Sequence, residues 1–114
     1  MRSVNRVALL GALVDYPGVG SAGNTPVCNF EIKTTEEWMS KNGPQKRDTV
    51  HVCVAFGAMA KDVERLRRGD YIYVEGSLRA QRDSGDLYAA EVVCSVAIPV
   101  AETEGILVGN EQDQ

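Results

Sequence analysis

The sequence predicts an all-β domain, a five-stranded Greek-key barrel with one helix between its third and fourth strands. Residues 49–57 (TVHVCVAFG) and 71–79 (YIYVEGSLR) alternate with the period of a strand. Between them, AMAKDVERLRR (58–68) places Met59, Val63 and Leu66 at helical spacing. A lone helix joining two strands of a five-strand pattern is the arrangement of a partly open Greek-key barrel, whose exposed face commonly takes single-stranded nucleic acid or sugar chains.

The elements follow in order. A first strand is expected near 4–14 (VNRVALLGALV), then a Gly-rich loop, DYPGVGSAGNTP (15–26), then a second strand VCNFEIKT (27–34) with Cys28, Phe30 and Ile32 inward. The first two strands should pair as a long hairpin. Residues 35–47 (TEEWMSKNGPQKR) contain Asn-Gly-Pro, which should stop regular pairing, so this segment reads as an exposed loop or the flared tip of a hairpin. The third strand should then start near Asp48. The helix is expected to end with Arg67 and Arg68 at its carbonyl end and Gly69 as a left-handed cap. A turn at RDSGD (82–86) leads to a fifth strand, LYAAEVVCSVAIP (87–99).

At 114 residues and 44% hydrophobic content, the chain suits one domain with a modest core, for which self-association is a plausible support. A binding domain over 1–100 and a short acidic tail over 101–114 are expected. No run of about 18 apolar residues could span a bilayer, and no secretory cleavage pattern follows the N-terminus, so a cytoplasmic, nucleoid-associated location without membrane contact is expected. Cys28, Cys53 and Cys94 are odd in number and lie in apolar strand patterns, which fits buried free thiols in a reducing compartment. The net charge is −4, yet residues 1–101 hold all 12 Lys and Arg against 12 acids; the whole excess is Glu102, Glu104, Glu111 and Asp113.

Gly18, Gly20 and Gly23 match Gly-x-Gly-x-x-Gly, but a phosphate-cradling version must open a helix, and a strand pattern follows instead. His51, Cys53, Cys28 and Cys94 could in principle ligate a metal. They lack the close Cys pairs of structural zinc, so packed thiols are the better reading, and neither a metal nor a cofactor is expected. One histidine without a nucleophile or carboxylate pair offers little to catalysis, so the chain is not expected to be an enzyme.

A stronger constellation surrounds Trp38. Residues 33–47 carry Lys33, Lys41, Lys46 and Arg47 against two acids, in a chain that is net negative. An aromatic ring contributes about 1–3 kcal/mol per stacked base while neighbouring cations follow the phosphates. Local sequence equally allows a tryptophan pinned under its own hairpin. Phe56 reads as core on its apolar pattern alone. Arg79 and Arg82 flank the exit of the fourth strand, where they could meet phosphates or simply remain solvated. Tyr71, Tyr73 and Glu75 point away from Ile72, Val74 and Leu78, making a face suited to a subunit contact.

With NRVALLGAL (5–13), Gly23-Asn24 and NFEIKT (29–34), Trp38, VHVCVAFG (50–57), GDYIYVEGSLR (69–79) and LYAAEVV (87–93), the chain resembles the bacterial single-stranded DNA-binding protein family over about residues 3–98. The resemblance implies an OB-fold (oligonucleotide-binding) barrel, usually homotetrameric, that binds single-stranded DNA without sequence preference in replication, recombination and repair. It implies that Trp38 and Phe56 are stacking aromatics, that His51 stands at a subunit interface, and that Tyr73 lies in a contact between dimers. Lys33, Lys41, Arg79 and Arg82 fall in phosphate-contacting regions. Val50 replaces a common tryptophan, the RDSGD loop is too short for another, and EQDQ (111–114) lacks the aromatic tip that recruits replication and repair proteins. Weaker or shorter-site binding is therefore expected. The dimeric primosomal replication protein N family, which acts in replication restart, is the runner-up. An adaptor with weak DNA affinity and, by fold analogy only, an oligosaccharide binder are the other readings.

Overall fold

A computed structural model describes residues 2–81 and 90–101. Its strands are β1 (Val7–Leu13), β2 (Gly18–Ala22), β3 (Thr25–Ser40), β4 (Gly43–Phe56), β5 (Tyr71–Ala80) and β6 (Ala90–Val100), and its helix is α1 (Ala58–Val63). Strand order is β1-β5-β6-β4-β3-β2, and an added β1–β3 pairing closes the sheet on itself. Five strands (β1, β3, β4, β5, β6) form the barrel with α1 between β4 and β5, and β2 is a short ribbon added to β3.

Alternation builds the interior. Cys28, Phe30 and Ile32 of β3 point inward with Cys53 and Ala55 of β4, Ile72 and Val74 of β5, and Val92 and Cys94 of β6. In β6 the buried set then shifts from Val92 and Cys94 to Ala97, because a register irregularity at Glu75/Gly76 leaves Ser95 as an extra residue opposite β5. The helix covers the core with Ala60 and Val63, aided by half-buried Met59 and Leu66.

Several sequence expectations need correction. The first strand pairs along its length with β5, from Val7↔Gly76 to Ala12↔Tyr71, and meets β3 only at Ala12↔Lys33 and Leu13↔Ile32. The expected long hairpin of the first two strands is therefore a brief closing seam. Part of the Gly-rich loop is β2, whose small residues show no alternation to reveal it. Asn-Gly-Pro does not stop pairing: β3 and β4 remain in register to Ser40↔Gly43, and the third barrel strand starts at Gly43, not near Asp48. Pro44 is tolerated because this part of β4 pairs with β3 alone, so the missing N–H faces no second strand. The helix stops at Val63, well before Arg68. Gly69 (φ 93°) serves instead in the turn into β5, where its N–H donates to the carbonyl of Leu13. Leu78 is largely exposed although it shares the face of Ile72 and Val74. Turn RDSGD, the start of the fifth strand and the acidic residues from Glu102 onward lie outside the described residues.

All three cysteines are free and buried. Burial, with the charge of Glu64 adding to it, pushes the Cys28 thiol up to about 11. Cys53 is pushed up as well, first by its thiol hydrogen bond with Cys94 and then by burial. A thiol-specific chromogenic reagent is expected to label none of the three until denaturant unfolds the chain; rapid labelling at neutral pH would contradict this packing. Above pH 9.0 the unfolded chain loses the Cys28 proton that the folded state keeps to about 11, so stability should fall with rising pH across that interval.

Candidate nucleic-acid interface

Ladder register sorts the candidate residues. Directly paired residues share a face of the ribbon. The inward set of β3 and β4 continues past His51, opposite Ile32, to Glu36↔Arg47 and Trp38↔Gln45. The outer face carries Val27↔Phe56, Asn29↔Val54, Lys33↔Val50, Glu37↔Lys46 and Met39↔Pro44. Lys41 sits in the two-residue turn between Ser40 and Gly43. The four cations that the sequence clusters around Trp38 are thus divided, since only Arg47 shares its face.

Trp38 is 44% exposed, and the Arg47 guanidinium carbon lies 5.4 Å from its ring centroid, a cation–π contact. The residue is therefore open to solvent and not sealed under its own hairpin. Ion pairs among the described residues are Arg65–Asp62 and Arg79–Glu91, so Lys33, Lys41 and Lys46 carry exposed charges without a carboxylate partner.

Phe56 is half-buried and lines a second part of the surface, a cleft of about 770 Å³ that Val27, Asn29 and Val54 also line. Gly20 of β2 lines it without adding a side chain, and Arg79 of β5 and Glu91 of β6 line it as well. The structure does not bring the two aromatic candidates together. Gln45, the partner of Trp38, precedes Phe56 by 11 residues along β4, a contour of roughly 37 Å at about 3.4 Å per residue, and the rings occupy opposite ladder faces. Arg82 lies outside the described residues.

The interface candidates also separate. Tyr71, Tyr73 and Glu75 lie on the outer face of β5, where Tyr73 stands between Leu10 of β1 and Ile98 of β6, both more than half exposed. The Tyr73 phenol donates to Glu75, and this hydrogen bond, with burial next, holds the phenol above its ordinary value. His51 belongs to the other surface; its Nε2 lies 2.8 Å from Oγ1 of Thr34 on the inward side of the β3–β4 ladder. Among the described residues, no three His, Cys, Asp or Glu side chains converge to hold a metal ion, and no helix is long and apolar enough to cross a membrane.

Sequence reasoning missed β2, Asn29, Val54 and Glu91 as parts of the cleft. For Glu91 a signal existed: it is a lone carboxylate inside the apolar run AAEVV.

Known proteins share this architecture. The Plasmodium falciparum SSB in complex with ssDNA aligns with TM-score 0.76 and 24% identity, over 89% of this chain and 98% of that one. The wild-type single-stranded DNA binding protein from Thermus aquaticus aligns with TM-score 0.74 and 22% identity, over 94% of this chain and 54% of that one. A deletion mutant of the Thermus aquaticus protein gives 0.72 and 21%, over 86% and 51%. This chain therefore spans about half the length of the Thermus aquaticus protein, and at such identities the likeness shows the fold. The model of the single-strand binding protein family matches residues 4–98, nearly the whole described barrel, and the chain belongs to that family.

Proposed function

We propose that this chain is a sequence-independent single-stranded DNA-binding protein, not an enzyme, that coats and protects unpaired strands in replication, recombination and repair. The observation that carries the reading is the exposed Trp38 indole beside Arg47, on a ribbon whose lysines have no ionic partner and which runs into the Phe56 cleft. Unpaired bases expose their faces to such rings, and the phosphates between them seek the cations. Membership of the single-strand binding family supports it. In this reading DNA binding belongs to residues 1–100.

Titration with oligo-dT is the test. Tryptophan fluorescence should be quenched, and if Lys33, Lys41, Lys46 and Arg47 each meet a phosphate, the slope of log affinity against log salt is roughly −2.8, at about −0.7 per contact on a single strand. Absent quenching together with a flat salt response overturns the reading.

The same reading makes the apolar outer face of β1, β5 and β6 a contact between copies in a homotetramer, through Tyr71, Tyr73 and Glu75, with His51 at a second contact. Support comes from Leu10 and Ile98, whose exposure on that face costs less when a partner covers them. Light scattering should give about four times the 12.4 kDa chain mass; a value near twice that mass favours a dimer like primosomal replication protein N. Val50, exposed where the resemblance expects a tryptophan, favours the adaptor as the second reading, in which DNA affinity is slight.

A further inference from the structure

Arg79 is already paired within the Phe56 cleft. Its Nε lies 3.0 Å and its Nη2 2.5 Å from Oε2 of Glu91. The two residues are direct cross-strand partners on β5 and β6. The Glu91 side chain is only 12% exposed, against 45% for Arg79. Among the described residues lining the cleft, Arg79 is the sole cation and Glu91 the sole carboxylate; Val27, Asn29, Val54 and Phe56 add no charge. Among the described residues the cleft's one cation and one carboxylate are paired with each other, whereas no lysine of the β3–β4 ribbon lies within ion-pair distance of a carboxylate.

A phosphate approaching Arg79 meets a carboxylate that already holds two of its donors. The like charges compete for one guanidinium, and their repulsion is stronger beside a largely buried group than in bulk water. A neutral base meets no such penalty. For a base, a guanidinium fork fixed by two hydrogen bonds is a planar stacking surface, in a cleft that a phenyl ring also lines.

We propose that Glu91 is the internal counter-ion of this cleft: it converts Arg79 from a phosphate contact into a stacking plane in the cleft that Phe56 also lines, admits bases there, and leaves the phosphates to the ribbon lysines. Glu91 is thus a positioning residue that selects which part of a nucleotide enters. The inference rests on the single-strand-binding reading and concerns a residue that reading does not use.

Substitution Glu91→Gln keeps the size and an acceptor oxygen while removing the charge. Freed of its counter-ion, Arg79 should gain one phosphate contact. The salt slope on oligo-dT then steepens by roughly 0.7, which enlarges the affinity ratio between about 50 and 200 mM salt by roughly 2.5-fold, and binding at low salt becomes tighter than in the unsubstituted protein. The neutral double variant Arg79→Gln/Glu91→Gln should return to the original slope. An unchanged or shallower slope in Glu91→Gln, with weaker binding, means that Glu91 holds Arg79 for a phosphate and overturns the proposal. If thermal melting shows that Glu91→Gln does not fold, the double variant decides alone: an original slope supports the proposal, and one shallower by roughly 0.7 overturns it. Failure of the unsubstituted protein to bind oligo-dT would instead refute the single-strand-binding reading, and is observed before any variant is made.

Discussion

Replacing Trp38 and Phe56 together by alanine is expected to weaken oligo-dT binding by about 2–6 kcal/mol, at about 1–3 kcal/mol for each lost stacking platform. Trp38→Ala alone should cost roughly 5–150-fold in affinity. This is the cleaner of the two single substitutions, because Trp38 is 44% exposed on the ribbon beyond the barrel and belongs to no part of the buried core. Its melting temperature should therefore be nearly unchanged. The two losses should add, because the rings lie on opposite ladder faces, separated by many ladder pairs, and share no partner. Phe56 is half-buried, so Phe56→Leu serves as the control that retains apolar packing while removing the ring. Equilibrium fluorescence titration with labelled oligo-dT measures the effect. Undiminished affinity in Trp38→Ala would remove the stacking mechanism and favour the adaptor reading.

Glycine-to-valine substitution at Gly76 or Gly11 is expected to cost about 3 kcal/mol each, the upper part of the range for forcing atoms into a packed interior. A Cβ at Gly76 would stand 2.0 Å from the carbonyl oxygen of Val93, and one at Gly11 would stand 2.3 Å from that of Lys33. Both obstacles are backbone, so no side-chain rotation relieves them. Each glycine also lies where the sheet must bend or close: Gly76 at the β5–β6 irregularity, and Gly11 next to the short β1–β3 seam. Against a total stability of about 5–15 kcal/mol, such a loss should lower the melting temperature by roughly 10–20 °C. Circular dichroism melting measures it. A variant that melts unshifted would mean that these strands separate at little cost, and that the barrel is not closed by close backbone approach.

Much of the barrel was legible because strand alternation is local. Cys28, Phe30 and Ile32, and likewise Ile72 and Val74, announce their inward face within a few residues of chain. Where the local signal was absent or misleading, the reading failed. β2 consists of small exposed residues without alternation. Pro44 reads as a terminator of pairing unless it is known that β4 has a free edge there. The helix pattern runs to Arg68, yet after Val63 the chain turns, held by the Arg67 N–H donating to Asp70 and by two backbone hydrogen bonds joining Gly69 and Asp70 to Leu13. The two bonds to Leu13 come from a distant strand and, with the local turn, outweigh helix propensity.

The chain alone determined its alternating core, its charge pattern and an aromatic within a basic segment, since each depends on residue type and near-neighbour spacing. Tertiary structure decided the rest: that Trp38 and Phe56 face opposite ways, that Arg47 and not a lysine covers the indole, and that Arg79 meets Glu91 across two strands. The physical reason is register. Side chains on a strand change face at every residue, so which distant groups meet depends on how strands align across the sheet, and that alignment is set by the closure of the whole barrel.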